Sequence, residues 1–326
     1  DLSMLNETEI LMAIERLIRE VSQVLEKGDQ TKRSTIQKLR AYARQGCDLV
    51  PAFKQMFTRN LQLMFPVNQF IRVIEVVDRL NQQYGWPHTE IPYTDEYIQI
   101  CRALYVSQAT WRRDQNNFYR QEYDNRFKLE QYLRNIIQKH RKTLWVREEL
   151  KYYTECLDEL SIADVERHLK TLRKRISDKD TCFKDLVGYA WALEQGGETG
   201  AYHIHLLLIY NGSIREADWW HADLVGDLWE KITGVFGKGF NKHTAKERQS
   251  YKEKGLDGLG MVKRKDVAKV NNAIRLGLYL ADPTKYEQRL RVKVFGMKTF
   301  GHGQFIPSLY MLRQSREADD DIKLPF

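Results

Sequence analysis

The sequence predicts an α+β protein, on three observations. Up to about residue 140, apolar residues recur at steps of three to four, which is the period of an amphipathic helix. From residue 143 onward, β-branched and aromatic runs alternate with shorter helical segments. Two of these runs flank a glycine-rich turn, so they can pair as a hairpin. We therefore expect a helical N-terminal region, residues 1–140, followed by an antiparallel sheet with helices packed on it, residues 141–326.

Composition describes a globular, basic chain. Its 326 residues are 42% hydrophobic and 29% charged, which suffices for a sizeable core and for two domains. The net charge of +8 favours a polyanionic partner. Four clusters carry much of the positive charge, and each is alternatively an ordinary solvated face: Lys139–Lys142, Arg167–Arg175, Lys263–Lys265 and Arg289–Lys293.

The sequence shows no targeting signal. It has no run of about 18 apolar residues, so we expect no transmembrane helix. Its first residues lack the basic and then apolar plan of a signal peptide, and they lack an initiator Met, so we expect a piece of a longer protein. The four cysteines form no Cys-x-x-Cys motif, which predicts reduced thiols in a cytoplasm.

The N-terminal helices are predicted from caps and apolar stripes. Asn6 caps a helix with the stripe Ile10, Ile14, Leu17, Val21 and Val24. A second stripe follows Pro66, at Phe70, Ile74, Val77 and Leu80. Residues 94–142 contain neither Gly nor Pro and predict one long helix or two. Within it, residues 111–127 interleave aromatic and arginine side chains, which either stack on single-stranded bases or dock on neighbouring helices.

The C-terminal half alternates predicted strands and helices. Strands are predicted at 143–146, 186–194 and 202–210, and helices at 162–176, after a Ser161 capping box, at 217–232 and at 265–282. The last helix has the apolar stripe Val267, Val270, Ile274 and Leu278. Residues 234–242 read as a glycine-rich loop without the features of a phosphate loop, and residues 291–303 as a strand and a glycine turn.

One hairpin brings together residues that can bind a metal ion. Residues i and i+2 of a strand point to the same face, so His203 and His205 project side by side. If the two runs pair, Glu194 lies on the same face of the adjacent strand. Two imidazoles and one carboxylate form a plausible divalent-metal site with open coordination positions. The alternative is that both histidines are ordinary surface or core residues.

A tyrosine downstream of the hairpin is a candidate nucleophile. A metal with open positions can polarise a phosphodiester, and a phenolic hydroxyl on a facing helix can then attack phosphorus. Tyr279 lies beside the apolar stripe of the last predicted helix. Tyr286, beyond Pro283, is the alternative nucleophile.

The order of these features resembles the HUH endonucleases, in particular the replication proteins of inoviruses, the filamentous phages and their prophage relatives. The resemblance covers about half of the chain, from residue 142 to 303. Its pieces are Leu144–Arg147, Gly188–Glu194, Gly200–His205 with Asn211–Gly212, Leu228–Trp229 with Ile232–Gly234, Gly239–Asn241, Leu256–Met261, Leu278–Leu280 and Lys298–Gly303. No single piece is specific, but the ordered series is.

The resemblance implies an RRM/palm-like HUH nicking domain that initiates rolling-circle replication of a phage or mobile element in the bacterial cytoplasm. It implies His203, His205 and Glu194 as ligands of Mg²⁺ or Mn²⁺, and Tyr279 as the nucleophile that becomes linked to a 5′ phosphate. The partners would be single-stranded DNA, origin duplex DNA and a host helicase, because the sequence has no ATP-binding motif. Neither a membrane nor a nucleotide cofactor is expected.

One departure from the family favours other functions. The family usually has a lysine three residues after the tyrosine, where this chain has Asp282, although Lys285 lies nearby. The lost lysine favours a DNA-binding protein that has lost cleavage, acting as an origin binder or regulator. A third possibility is a phosphodiesterase that uses water as the nucleophile. With a DNA substrate, we expect contacts from Arg147, Lys263, Arg264, Lys265, Arg275, Arg291 and Lys293.

Overall fold

A computed structural model describes residues 5–305 as a mixed α+β protein. Helices account for nearly all regular structure before residue 140. In chain order they are α1 (Glu7–Lys27), α2 (Arg33–Met56), α3 (Phe70–Tyr84), α4 (Tyr97–Leu104) and α5 (Gln108–Lys139). A short strand that the sequence analysis missed, β1 (Leu61–Leu63), interrupts them.

The capping signals were read correctly. The Asn6 side chain accepts from the Glu9 backbone, and the Glu9 side chain accepts from the Asn6 backbone, so α1 begins with a capping box. The long segment after residue 94 is two helices, because the chain is extended at Tyr105–Ser107 and Ser107 caps α5. The helices α1 to α4 pack on one another as a bundle.

The C-terminal half contains the sheet and four further helices. Its strands are β2 (Lys142–Tyr152), β3 (Leu186–Gln195), β4 (Tyr202–Asn211), β5 (Gly237–Asn241), β6 (Gly260–Lys263), β7 (Val292–Val294) and β8 (Phe300–His302). Its helices are α6 (Ile162–Asp178), α7 (Asp218–Thr233), α8 (Ala245–Glu253) and α9 (Val267–Leu278). The Ser161 capping box at the start of α6 is confirmed.

The main sheet is antiparallel throughout and has the order β5-β2-β4-β3-β8. The strand β6 pairs with the first residues of β2, and β5 pairs with its last residues. One face packs against α5 and α9, through residues such as Trp145, Leu207 and Leu133. The opposite face packs against α6 and α7. The β3–β4 hairpin, which carries Glu194, His203 and His205, therefore lies at the centre of the sheet with helices on both sides.

Three elements differ from the sequence analysis. The strand β2 has 11 residues, where four were predicted. The prediction stopped short because the later residues of the strand include charged side chains, which are buried here. Residues 237–241 form the strand β5 rather than a loop. The last long helix ends at Leu278 and continues as a 3-10 turn, Tyr279–Ala281, and Val267 at its start is 69% exposed rather than part of the buried stripe.

Two glycines allow helices to pack closely around the β3–β4 hairpin and its sheet. Gly200, in the β3–β4 turn, has a φ of +68°, and an added Cβ would lie 2.3 Å from Thr8 Cγ2 of α1. At Gly277, near the end of α9, an added Cβ would lie 2.6 Å from Leu133 Cδ1 of α5. The close packing at Gly277 places the end of α9, and with it residue 279, against the sheet.

The four cysteines are free thiols. Among the residues that the structure describes, no helix combines the length and the apolar character that a membrane crossing requires.

The N-terminal helices are joined to the C-terminal half by a buried ion pair. Glu15 of α1 accepts from Arg291 Nε, and its Oε1 lies 3.3 Å from Arg289 Nη2 and 3.0 Å from Arg19 Nη2. Burial opposes ionisation of Glu15, but the arginines outweigh it and lower its pKa. Arg291 then leads into β7, which pairs with β1. This pair ties α1 to the segment that follows the candidate nucleophiles.

We predict that Glu15→Gln lowers the free energy of unfolding by about 3–5 kcal/mol, because it leaves the Arg291 charge buried without its partner. Urea unfolding at pH 7 measures this loss, and Glu20→Gln on the same helix, expected within about 0.5 kcal/mol of wild type, is the matched control. Because the pKa of Glu15 is lowered on folding, its contribution is present at neutral pH and is lost as pH falls through the lowered pKa. A loss below about 1 kcal/mol in Glu15→Gln would contradict a structural role for the pair.

Candidate metal and nucleophile site

The strand register gathers the candidate ligands on one face of the sheet. Glu194 of β3 lies directly opposite His203 of β4. On the other side of β4, Glu149 of β2 lies opposite His205. Because β4 lies between β2 and β3, the two imidazoles of β4 have a carboxylate on each flank. The pairing of β3 with β4 that the sequence analysis expected is confirmed.

Glu194 is bound by three donors. Its Oε2 lies 3.0 Å from His205 Nε2 and 3.5 Å from His203 Nε2. Its Oε1 accepts from Lys285 Nζ at 2.7 Å. Glu194, His205 and Lys285 are all buried. The carboxylate thus joins the hairpin to the segment beyond Pro283.

Glu149 is a carboxylate that the sequence analysis did not single out. One ligand atom of Glu149 and one of each imidazole all lie within 4.8 Å of one another. The Glu149 carboxylate also binds Lys242 Nζ at 2.8 Å and Lys151 Nζ at 3.0 Å. Glu149 follows Arg147 by two residues along β2, so the two side chains lie on the same face of the sheet. Only the pairing of β2 with β4 brings Glu149 to the histidines.

The protonation states suit a cation. Burial lowers the pKa of His205 to about 4, so its imidazole is neutral at pH 7, as a metal ligand must be. Burial opposes ionisation of both carboxylates, but hydrogen bonds from the histidines hold the pKa of Glu194 well below its usual range. Hydrogen bonds from the lysines, with Lys242 first, lower the pKa of Glu149 to about 2. The ionised carboxylates of Glu149 and Glu194 therefore lie beside the neutral imidazole of His205.

The donor set fits a divalent cation. His205 Nδ1 is buried and has no hydrogen-bond partner among residues 5–305, so this imidazole has a ring nitrogen that the protein leaves unsatisfied. Mixed imidazole and carboxylate donors suit Mn²⁺ better than Mg²⁺, which prefers oxygen. His203, His205 and Glu149 are the residues whose ligand atoms lie close enough together to hold such an ion, whereas both oxygens of Glu194 are bound by His205 and Lys285.

Tyr279 lies beside this cluster. The centroid of its ring is 6.1 Å from that of His205, and the side chain is 42% exposed. Lys285 Nζ lies 3.7 Å from the Tyr279 ring centroid, over the ring face. Burial raises the pKa of Tyr279 and the Glu194 charge adds to the rise, so the phenol is neutral at pH 7. Lys285 thus brings an ammonium group to the tyrosine that Asp282 cannot supply.

Asp282 has a local structural contact. Its Oδ1 accepts from the backbone N–H of Thr284 at 2.9 Å and from the Thr284 hydroxyl at 2.8 Å. It therefore caps the 3-10 turn that carries Lys285. The acid at the position of the family lysine helps to orient the lysine three residues later.

Tyr286 is held by other contacts. Its ring is buried, and its hydroxyl donates to Asp114 Oδ2 of α5 at 2.7 Å. The rings of Phe118 and Tyr286 pack edge to face with centroids 5.4 Å apart, and the Arg289 guanidinium lies 4.0 Å from the Tyr286 ring centroid. Burial raises the pKa of Tyr286 well above its usual range. This geometry favours Tyr279 over Tyr286 as the nucleophile.

Arg147 is a buried cation without a carboxylate partner. It is 2% exposed, and its Nε and Nη1 have no hydrogen-bond partner among the described residues. Its guanidinium carbon lies 5.8 Å from the Tyr279 ring centroid. Buried guanidinium groups are normally paired, so the unsatisfied N–H groups of Arg147 are an exception that lies near Tyr279.

The other predicted DNA-binding residues differ in exposure. Those on the β6–α9 loop and on α9 are exposed, namely Lys263, Arg264, Lys265 and Arg275. Lys293 is half-buried and lines a cavity next to Glu194. Arg291, by contrast, is 2% exposed, and its guanidinium pairs with Glu15.

The aromatic and arginine stretch of α5 docks on its neighbours at one end and is exposed at the other. Trp111 packs edge to face on Phe65, with centroids 4.7 Å apart, so this end of the stretch docks on its neighbours. Tyr123 and Phe127 are exposed. Between these two, Arg126 Nη1 donates to the Leu278 carbonyl at 3.0 Å, so the exposed rings lie on the turn of α5 that contacts the end of α9.

Comparison with known proteins finds no matching family model, no matching curated protein and no matching solved structure. The geometry of the site therefore carries the functional argument.

We predict that the protein binds Mn²⁺ and that His205→Ala weakens this binding by at least ~100-fold, since loss of an outer partner alone costs about 10–100-fold. Calorimetric titration with Mn²⁺ measures the affinity, and His88→Ala is the control. Glu149→Gln and Glu194→Gln, compared side by side, identify the third ligand as the residue whose loss weakens binding more. Unchanged affinity in His205→Ala would exclude the cluster as the metal site.

Proposed function

We propose that this protein is an HUH-type endonuclease that nicks and rejoins single-stranded DNA through a covalent phosphotyrosine, and so initiates rolling-circle replication of a phage or mobile element. The observation that carries the proposal is the position of Tyr279. Its half-exposed phenol lies beside the His/Glu cluster, in which His205 Nδ1 has no hydrogen-bond partner among the described residues, with one cation over its ring and a second nearby. A tyrosine, a His-x-His strand and basic groups together favour phosphoryl transfer over other metal-assisted chemistry.

The fold supports this assignment. The paired histidines lie on the central strand of an antiparallel sheet, and the tyrosine comes from a helix end on the same face. The order of acid, turn, His-x-His strand and tyrosine is that of the HUH endonucleases. The specific HUH fold is part of the proposal, and the α+β architecture is its basis.

The proposed reaction exchanges one phosphoester for another. The Tyr279 oxygen bonds to the scissile phosphorus while the bond from phosphorus to the 3′ oxygen breaks. The phenolic proton leaves, and the 3′ oxygen gains a proton to become a free hydroxyl. The protein keeps the 5′ phosphate, so a later 3′ hydroxyl can reverse the step and rejoin strands.

Each charged group has a role in this step. A divalent cation held by His203, His205 and a carboxylate would withdraw charge from the phosphate oxygens. Arg147 supplies the N–H groups of Nε and Nη1, which have no hydrogen-bond partner among residues 5–305, for the same oxygens. Lys285, over the Tyr279 ring, favours the negative charge that develops on the phenol oxygen.

The approach of the DNA is supported by exposed residues. The cations Lys263, Arg264 and Lys265 precede α9, whose end carries Tyr279, and these can bind phosphates. Tyr123 and Phe127 offer exposed rings for bases of a single strand. Since the sequence has no ATP-binding motif, strand separation at an origin would need a partner helicase.

The second candidate is a DNA-binding protein without cleavage, which the sequence favoured because Asp282 replaces the family lysine. The contact of Lys285 with both Glu194 and Tyr279 weakens that argument, because a lysine reaches the tyrosine by another route.

We predict a covalent adduct between Tyr279 and the 3′ part of cleaved DNA. Randomised single-stranded oligonucleotides labelled at the 3′ end are incubated with Mn²⁺ and separated on a denaturing gel. Wild type and Tyr286→Phe retain label on the protein, and Tyr279→Phe loses it. Cleavage that survives both substitutions indicates a water nucleophile. Salt-sensitive DNA binding without any cleavage supports the second candidate, a DNA-binding protein that does not cleave.

We predict that Arg147→Met lowers nicking by about 100- to 1,000-fold, the usual effect of losing one donor to a transition-state oxyanion. Because the guanidinium has buried N–H groups without partners, the substitution leaves the thermal unfolding temperature equal or higher. The exposed Arg141→Met is the control for charge. Equal nicking by both variants, or a strong loss of stability in Arg147→Met, would show that Arg147 is structural.

A further inference from the structure

A cavity of about 210 Å³ opens next to the candidate site. Its walls come from α5, from the end of β3, from the 279–290 segment and from the residues around β1, β7 and β8. Glu194 and Lys285 line it directly, so it is continuous with the cluster that flanks Tyr279. Nothing in the proposed reaction uses this space.

The walls combine flat apolar surfaces with hydrogen-bonding groups. Phe65, Phe118 and Phe300 contribute aromatic rings. Asn117 and Gln121, both exposed on α5, contribute side-chain amides. An aromatic surface with a few placed polar groups is the usual environment of a nucleobase that is separated from its neighbours in the strand.

The charges of the cavity distinguish a base from a phosphate. Asp114, Glu122 and Asp282 line it, together with Glu194. Two of its three cations are paired, Arg289 with Glu15 and Lys285 with Glu194, and the third, Lys293, is outnumbered by the four carboxylates. Arg147, whose Nε and Nη1 have no hydrogen-bond partner among residues 5–305, does not line the cavity. A phosphate is therefore favoured beside Arg147, and a neutral ring is favoured inside the cavity.

We propose that this cavity binds one nucleobase next to the scissile phosphate, and that Asn117 and Gln121 read its edge. The proposal rests on single-stranded DNA being the substrate. Ionised carboxylates accept but do not donate, and the amide oxygens of Asn117 and Gln121 accept as well, so the cavity favours a base whose exocyclic amino group donates over thymine. The N-terminal helices would thereby select the sequence that the C-terminal sheet cleaves.

The test separates binding from cleavage. A randomised single-stranded pool is bound to Tyr279→Phe, which keeps the cavity and cannot form the adduct, and the retained DNA is sequenced. We expect thymine to be depleted about tenfold at one position, the discrimination typical of one base contact. The same selection is repeated with Asn117→Ala and with Gln121→Ala, each added to Tyr279→Phe.

Asn116→Ala is the matched control, because Asn116 is exposed on the same helix, one residue from Asn117, and does not line the cavity. We expect the preference at that position to fall to about twofold or less in Asn117→Ala or Gln121→Ala, and to persist in Asn116→Ala. A pool without any such preference, or one whose preference survives both cavity substitutions, overturns the inference.

Failure of the proposed function gives a different result. If the wild-type protein forms no covalent adduct, yet the bound pool shows a preference that depends on Asn117 or Gln121, the cavity binds a base and the nicking function is rejected. If the adduct forms and the preference is unaffected, nicking stands and the cavity has no part in recognition.

Discussion

The arrangement of the site depends on the hydrogen bonds and ion pairs that the Glu194 carboxylate makes. Two imidazoles and one ammonium group bind it within the protein interior, where an unpaired carboxylate would be too costly to keep ionised. The contact is possible only when β3 and β4 pair with Glu194 opposite His203. It also holds the Lys285 turn against the sheet, and Lys285 in turn covers the ring of Tyr279. One carboxylate therefore links the His/Glu cluster to the proposed nucleophile.

The cations near this carboxylate differ in whether they have an anionic partner. Glu149 forms ion pairs with Lys151 and Lys242, whereas Arg147, two residues before Glu149 on the same face, has buried N–H groups without partners among residues 5–305. A protein selected for stability alone would pair or remove such a guanidinium. Its retention beside the half-exposed Tyr279 is understandable if an anionic ligand completes its hydrogen bonds. The distribution of paired and unpaired charge thus points from the metal cluster toward the phosphate position.

Local sequence signals predicted more of this molecule than long-range ones. The caps at Asn6 and Ser161 and the His-x-His strand depend on residues close in sequence, and these were read correctly. Glu149 could not be assigned, because its role depends on which strand lies beside β4. The glycines of β5 read as a loop, yet Gly239 is required where a Cβ would lie 2.4 Å from Gly226 of α7. Arg291 read as a DNA contact because its partner, Glu15, is 276 residues away.

The same distinction applies to the boundary near residue 140. The change in sequence pattern falls in the loop between α5 and β2, but the packing crosses it. Leu133 and Ile136 of α5 cover the sheet face that contains Leu207, and β1 pairs with β7. The helix α5 also presents Asn117 and Gln121 to the cavity and binds the carbonyl before Tyr279 through Arg126. The helices that the family resemblance does not cover therefore form one wall of the site, and in the proposed function their sequence bears on substrate recognition as directly as the histidines bear on metal binding.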